Sequence, residues 1–473
     1  MLNIPEYENA QKVFFFFNEI SKIPRTSGNT EKIADYLEAF AKERGLFCIR
    51  DSSDNVIIRK NATSGYEKKP AIIFQAHTDM VADKLPECKK DLLHDGIEIY
   101  REGDFLHARG TTLGADNGIG VAYALAVLDS DDIPHPEFEA VFTSDEETGL
   151  TGANNLDTSV LHGKRMINVD SDIEGVFTVG CAGGIRLDAT LTCKTEESRG
   201  SLYKISVLGL RGGHSGMEID KGHENAIKIL GEILEKIKDF RIAGIFGGNA
   251  DNAIPRSAEC IIEADCKDYI VNDVIRECLD KYKNTECDIS IGFSEYSQAR
   301  PCFSKADTQK IVEFIRKMPT GVYKMSNDVT GLVETSSNLG IIETSGGRVT
   351  LTLSVRSAKE SEKRVITDGV RSLAESFSAT LSAHSEYPAW EYVPNSALTK
   401  SLSNIYRETY KKEPKTEIIH AGLECGIFAN KIKGLDCVSL GPCMFDIHTT
   451  DERLSISSTA RVWEFLKTAL KEI

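Results

Sequence analysis

Val13, Phe14, Phe17 and Ile20 recur at helical spacing, so residues 8–21 read as an amphipathic helix. A turn at Ser27-Gly28-Asn29 leads to a second helix over 31–44, with Ile33, Tyr36, Leu37 and Phe40 on its apolar side. Residues 46–50 and 56–59 read as strands, joined by the turn-rich pentapeptide Asp51 to Asn55. Ala71 to Phe74 is a continuous apolar run, the pattern of a buried strand, and it ends in Gln75-Ala76-His77-Thr78-Asp79. Residues 84–107 are rich in charge and read as a surface excursion. Asp116 sits in a glycine-bracketed turn before an apolar helix over 118–128. Another strand ends in Asp145-Glu146-Glu147, and the run 166–170 ends in Asp170. This alternation of strand and helix predicts a mixed or parallel sheet covered by helices on both faces.

After Gly183-Gly184 the pattern changes. Residues 187–193 and 203–208 alternate as strands, 224–237 reads as a helix, and 258–266 is again a strand. The stretch 267–330 is looser. Residues 340–343 and 348–355 form a hairpin-like pair through Ser345-Gly346-Gly347, followed by a helix over 359–376 and a strand over 378–384. Pro388 to Pro394 reads as a linker, and 396–410 as a helix.

A chain of 473 residues is too long for one ordinary core and implies two domains. Its 41% hydrophobic and 27% charged residues are those of a soluble globular protein. The net charge of −16 argues against nucleic acid as a partner, since no Lys/Arg cluster offsets it. The FFFF run near the N-terminus has polar neighbours and no basic flank, so it is not read as a signal peptide. No apolar run approaches the ~18 residues that would span a membrane, which points to a cytoplasmic protein. The 12 cysteines show no CxxC pairs and read as free, mostly buried thiols of a reducing compartment.

Several strand-like runs therefore end in His, Asp or Glu, and in open α/β sheets chemistry gathers at such ends. Zinc takes imidazole and carboxylate ligands, and a catalytic site leaves one position open for water. Two metals a few ångström apart need a shared ligand; a carboxylate can bridge where an imidazole normally does not. The supply is His77, Asp116, Glu147, Asp170 and His448. The assignment is Asp116 as bridge, His77 and Asp170 on one metal, and Glu147 and His448 on the other. Asp79, two residues beyond His77, is placed to hold the other imidazole nitrogen. Glu146 remains as a free carboxylate able to move a proton from water to a leaving nitrogen. Alone, each fragment has a duller reading: a structural HxD, a solvated DEE turn, a capping Asp170, a surface His448. The late position of His448 implies that one domain is interrupted by the other, with a catalytic domain over 1–186 and 390–473 and a lid over 187–389.

HTDMV, GTTLGADNGIG, SDEETGLTGA, NVDSD, GGHSG, HAGLECG and HTTDERL, in that order, resemble the aminoacyl-histidine (Xaa-His, or cytosol non-specific) dipeptidases within the co-catalytic zinc peptidases. The resemblance covers nearly the whole chain. It implies an α/β fold, a three-layer α/β/α catalytic domain with an inserted α+β lid, and a homodimer formed through the lid. It implies two Zn2+ per subunit, for which Co2+ or Mn2+ could substitute, and short peptides as substrates. It supports the five ligands, with Asp79 as orienter and Glu146 as general base.

In the lid, His214 matches a histidine that helps polarise the scissile carbonyl in related enzymes; a turn histidine is the alternative. Arg356 could bind the substrate carboxylate as a fork or make a surface salt bridge. Glu424 falls where relatives line the cleft and could meet a substrate amine or satisfy a glycine turn. Asn252 and Asn338 are further substrate-binding candidates. The expected activity is hydrolysis of dipeptides by metal-activated water. One rival is hydrolysis of N-acyl amino acids on the same scaffold, which N-acetylated against unblocked dipeptides would separate. The other is a metal-binding protein without catalysis, which a turnover assay would decide.

Overall fold

The computed structural model describes residues 4–264, 268–327 and 329–473. The chain divides into two compact units. Unit 1 comprises Met1–Cys181, Tyr392–Ile418 and Leu423–Ile473; unit 2 comprises Ala182–Glu391 and Ile419–Gly422. The expected cuts at 187 and 389 lie a few residues from these limits, but the short return of Ile419–Gly422 to unit 2 had no counterpart in the sequence pattern.

Unit 1 is built on an eight-stranded sheet. In spatial order its strands are Phe47–Arg50, Val56–Lys60, Phe138–Thr143, Ile72–His77, Arg165–Asn168, Asp436–Ser439, Val176–Cys181 and Lys415–Ile419. The four from Phe138–Thr143 to Asp436–Ser439 run parallel. All six residues of Ile72–His77 are buried. A strand buried on both faces needs cover on both sides, which is why it reads as a continuous apolar run. The helix Ala115–Leu128 packs against this strand and against Gln11–Ser21. It is apolar on all sides, as a helix inside a layer must be. The helices Glu31–Glu43, Ala397–Tyr410 and Ile456–Glu472 complete the cover.

Residues 84–107 are more than an excursion. They include the strands Ile99–Glu102 and Phe105–Ala108, which join Met444–Phe445 and Arg453–Ser455 in a four-stranded sheet. Leu106 is fully buried there. Arg101, Glu102 and Asp104 obscured the alternation, because only one face of this small sheet is covered.

Unit 2 carries an antiparallel nine-stranded sheet. Its long hairpin pairs Val333–Ser345 with Arg348–Ser357, and Arg348–Ser357 pairs in turn with Gly183–Thr192. The stretch 267–330 that looked loose holds the helices Asp268–Tyr282 and Lys305–Lys317 and the strands Ser290–Tyr296 and Gly321–Met325. Exposure on one side dilutes their apolar pattern. Asp265 and Cys266, at the end of the expected strand 258–266, lie outside the described residues. Among the described residues the cysteines are free, and no helix is long and apolar enough to cross a membrane.

Candidate active site

In unit 1, His77 is the last residue of Ile72–His77, and its neighbour strands deliver the Asp145–Glu147 turn and Asp170. Parallel order puts these carboxyl ends side by side. Asp116 enters from the first turn of Ala115–Leu128, where the Asp116–Asn117 peptide bond is cis. His448 arrives from the segment between Met444–Phe445 and Arg453–Ser455.

The two carboxylate oxygens of Asp116 face two different imidazoles. His77 Nε2 lies 3.0 Å from Oδ1, and His448 Nε2 lies 3.2 Å from Oδ2. Asp170 Oδ1 is 3.5 Å from His77 Nε2, and Glu147 Oε1 is 2.9 Å from His448 Nε2. His77, Asp116 and Asp170 thus converge as one triad, and Asp116, Glu147 and His448 as another, each with ligand atoms within 4.8 Å of one another.

Glu147 Oε1 is buried and receives no hydrogen bond from the described residues, although His448 is so close. The approach lacks hydrogen-bond alignment, so this buried oxygen keeps its lone pairs unshared. A cation at that point would satisfy it. Hard carboxylate and borderline imidazole donors, three per triad with one shared, fit a pair of divalent ions.

Asp79 touches both His77 and the Glu146-Glu147 turn. Its Oδ1 lies 3.4 Å from His77 Nδ1. The same carboxylate accepts the backbone N–H groups of Glu146 at 3.0 Å and Glu147 at 3.3 Å, and the Ser27 hydroxyl at 2.7 Å. One side chain therefore fixes the ring and the turn opposite it. Asn117 adds a bond from Nδ2 to Asp170 Oδ1 at 3.0 Å.

Protonation follows the charge density. Burial opposes the charged form of His77, but Asp170, Asp116 and Asp79 overcome it and hold the imidazole well above its ordinary range. The hydrogen bond to Asp116 and the neighbouring Glu147 carboxylate push His448 up to about 10. Burial raises Glu146 well above the usual carboxylate range, with Asp170, Glu424 and Glu147 adding to it. A raised carboxyl pKa suits a group that takes and returns a proton near neutrality.

Glu424, expected either to meet a substrate amine or to satisfy a glycine turn, lies among buried polar side chains. It is fully buried in unit 1, where its Oε2 accepts from Gln75 Nε2 and, at 2.7 Å, from the Thr143 hydroxyl. Gln75 also accepts from Asn168. Gln75 and Asn168 each precede a ligand candidate by two residues, so they share its face of the sheet one pleat below. Burial pushes Glu424 up to about 8. The HAGLECG motif is divided: His420 belongs to unit 2 and Glu424 to unit 1.

Unit 2 holds a second polar cluster. His214 Nδ1 accepts from the N–H groups of Gly216 and Met217, both at 3.2 Å, which leaves the proton on Nε2. Asn252 supports this turn through its backbone carbonyl, which accepts from Ser215 N at 2.8 Å. Asn338 donates to the carbonyls of Asp251 and Ala253, at 3.1 and 2.8 Å. Its amide nitrogen is committed to backbone, while its Oδ1 has no partner among the described residues. Arg356 donates from Nη1 to the Tyr387 hydroxyl at 3.0 Å, and its buried Nε is unpartnered among the described residues.

Sequence reasoning missed His420. Its Nε2 is 2.7 Å from Ser336 Oγ, and its Nδ1 has no partner among the described residues. Burial, then Arg356 and His214, push it down to about 3. The only signal was its place in a motif already noted for Glu424.

The family model for peptidase family M20/M25/M40 matches residues 73–472. The chain is 35% identical over 476 residues to the cytosol non-specific dipeptidase of Escherichia coli (strain K12), covering 98% of each chain. Its fold is similar to the crystal structure of aminoacylhistidine dipeptidase from Vibrio alginolyticus, with a TM-score of 0.86 and 35% identity over 98% of this chain and 96% of that one. An M20 family metallo-carboxypeptidase from Sulfolobus solfataricus, with a TM-score of 0.56 and 17% identity over 97% of this chain and 98% of that one, shares the fold alone. The chain belongs to peptidase family M20/M25/M40.

Proposed function

We propose that this protein is a cytoplasmic dipeptidase that works with two divalent cations, zinc in the first instance, and forms a homodimer through unit 2. The observation that carries the reading is the Asp116 carboxylate shared between two ligand triads. His77 and Asp170 would hold one ion, Glu147 and His448 the other, with Asp116 between them. When bound, such ions acidify water and neutralise charge that develops on a carbonyl oxygen.

The chain's own residues do the rest. Asp79 keeps the proton of His77 on Nδ1, so that Nε2 presents its lone pair. Glu146 takes a proton from the attacking water and passes it to the departing amine. His214, with its proton on Nε2, serves as hydrogen-bond donor to the oxyanion. Arg356 takes the free carboxylate of the substrate, which restricts the enzyme to short peptides with an open C-terminus.

The test is hydrolysis of a panel of dipeptides, with and without chelator and with zinc, cobalt or manganese restored. Loss of turnover on chelation and its return with metal support the reading. Faster turnover of N-acetylated than of unblocked dipeptides would favour an acylase instead.

A further inference from the structure

Two buried charged residues outside the ligand set grip the backbone that carries Asp116. Arg25, 1% exposed, donates from Nη1 to the carbonyls of Thr78 at 2.9 Å and Asp79 at 3.3 Å, and from Nη2 to the carbonyl of Gly114. It therefore joins the segment after His77 to the turn before Asp116. On the same turn Glu452, 2% exposed, accepts four consecutive backbone N–H groups. These are Leu113 at 2.7 Å, Gly114 at 2.8 Å, Ala115 at 2.8 Å and Asp116 at 3.4 Å.

The glycines of the turn are fitted to this grip. A Cβ on Gly118 would lie 2.5 Å from Arg25 Nη2, and one on Gly114 would lie 2.7 Å from it. Gly114 also has φ +68°, which a side chain would strain. Bare backbone at 114 and 118 is thus what admits the guanidinium. A fork of donors on carbonyls and a carboxylate on amides leave the turn little freedom to slide.

We infer that Arg25 and Glu452 are positioning residues that hold the shared carboxylate of Asp116 at the separation both ions need. The inference rests on the two-ion reading above. Because the frame acts on the shared ligand, disturbing it weakens both ions together, whereas loss of an outer ligand weakens mainly one. Supporting residues around a metal site are commonly worth about 10–100-fold in metal affinity.

The test uses full-length Arg25→Lys, Glu452→Gln and Gly118→Ala proteins, loaded with Co2+ and titrated against a chelator while the visible spectrum is recorded. Gly118→Ala displaces the guanidinium without removing a charge, and alanine is tolerated in a helix. The expected result is two ions bound by the parent, and a fall of about 10–100-fold in affinity for both ions in the variants, with a changed Co2+ spectrum. A merely structural role would lower the melting temperature of metal-free protein and leave the spectrum and affinity of the folded chain as in the parent; that result overturns the inference. So does failure of all three variants to fold, which would assign the pair to folding. A parent that binds one ion overturns the two-ion reading itself.

Discussion

Burial pushes all four histidines of the two clusters toward the neutral form, yet they end on opposite sides of their ordinary range. In unit 1 the carboxylates around His77 and His448 overcome burial and raise both rings above their ordinary range. In unit 2 Arg356 adds to burial and keeps His214 and His420 neutral. The first cluster is an excess of negative charge that asks for cations. The second sets neutral imidazoles beside a guanidinium, a positive environment that suits an anion or a developing oxyanion. On the proposed reading, the difference assigns metal binding to the first cluster and substrate binding to the second.

The comparison breaks most readily at Glu146. Glu146→Gln should lose roughly 10²–10⁴ in kcat while keeping its metal, because the amide cannot accept a proton. Glu147→Gln should instead lose metal, with activity partly recovered at high zinc. Metal content and kcat for both variants check this, and a metal-depleted Glu146→Gln would mean that the two roles are reversed.

In unit 2, His214→Ala should lower kcat by about 10²–10³ with little change in bound metal. Full activity would return His214 to an ordinary turn residue. Mixing this variant with Glu146→Gln, under conditions where subunits exchange, asks whether His214 serves its own chain. Recovery of activity in hybrids would place its action across the dimer.

A smaller effect is expected from Arg356→Lys. An ammonium cannot reproduce the fork, so KM for dipeptides should rise about tenfold, the loss of ~1.4 kcal/mol of binding, with kcat nearly kept. C-terminally amidated dipeptides should be poor substrates of the parent. Equal turnover of amidated and free dipeptides would remove the carboxylate clamp.

Glu424 gives the smallest and most local signal. Its folded pKa is raised to about 8 by burial, against about 4.3 for an unfolded Glu. The folded state therefore binds the extra proton between these values. The contribution to stability is complete below about pH 4.3 and is lost as pH rises through about 8. Glu424→Gln has no such proton, so in urea unfolding of chelated protein its stability relative to the parent should improve from pH 5 to 8. A constant difference across that range would show that Glu424 is ionised in the fold.

His77, Glu147 and Asp170 stood out because each follows an apolar run, and a strand that stops in His, Asp or Glu is conspicuous in a linear pattern; Asp116, in a glycine-bracketed turn, and His448, in a late polar motif, carried no such mark. The supporting residues did not stand out. Arg25 reaches Gly114 across 89 residues, and Glu424 reaches Gln75 across 349. Such partners follow from sheet order, which periodicity does not encode. Glu452 lay in a motif already noted, but nothing in the chain shows that its carboxylate faces four amides. The small sheet over 99–108 and the helices and strands within 267–330 were obscured for a different reason. One-sided burial leaves too few apolar positions to establish a period.

The shared carboxylate of Asp116 is the centre of the account, and metal analysis of Asp116→Asn tests it most directly. The parent should hold two ions per chain. Asp116→Asn should lose both at a chelator concentration that the parent withstands, while Glu147→Gln keeps one. An Asp116→Asn protein that retains two ions, or a parent that binds only one, would contradict the account.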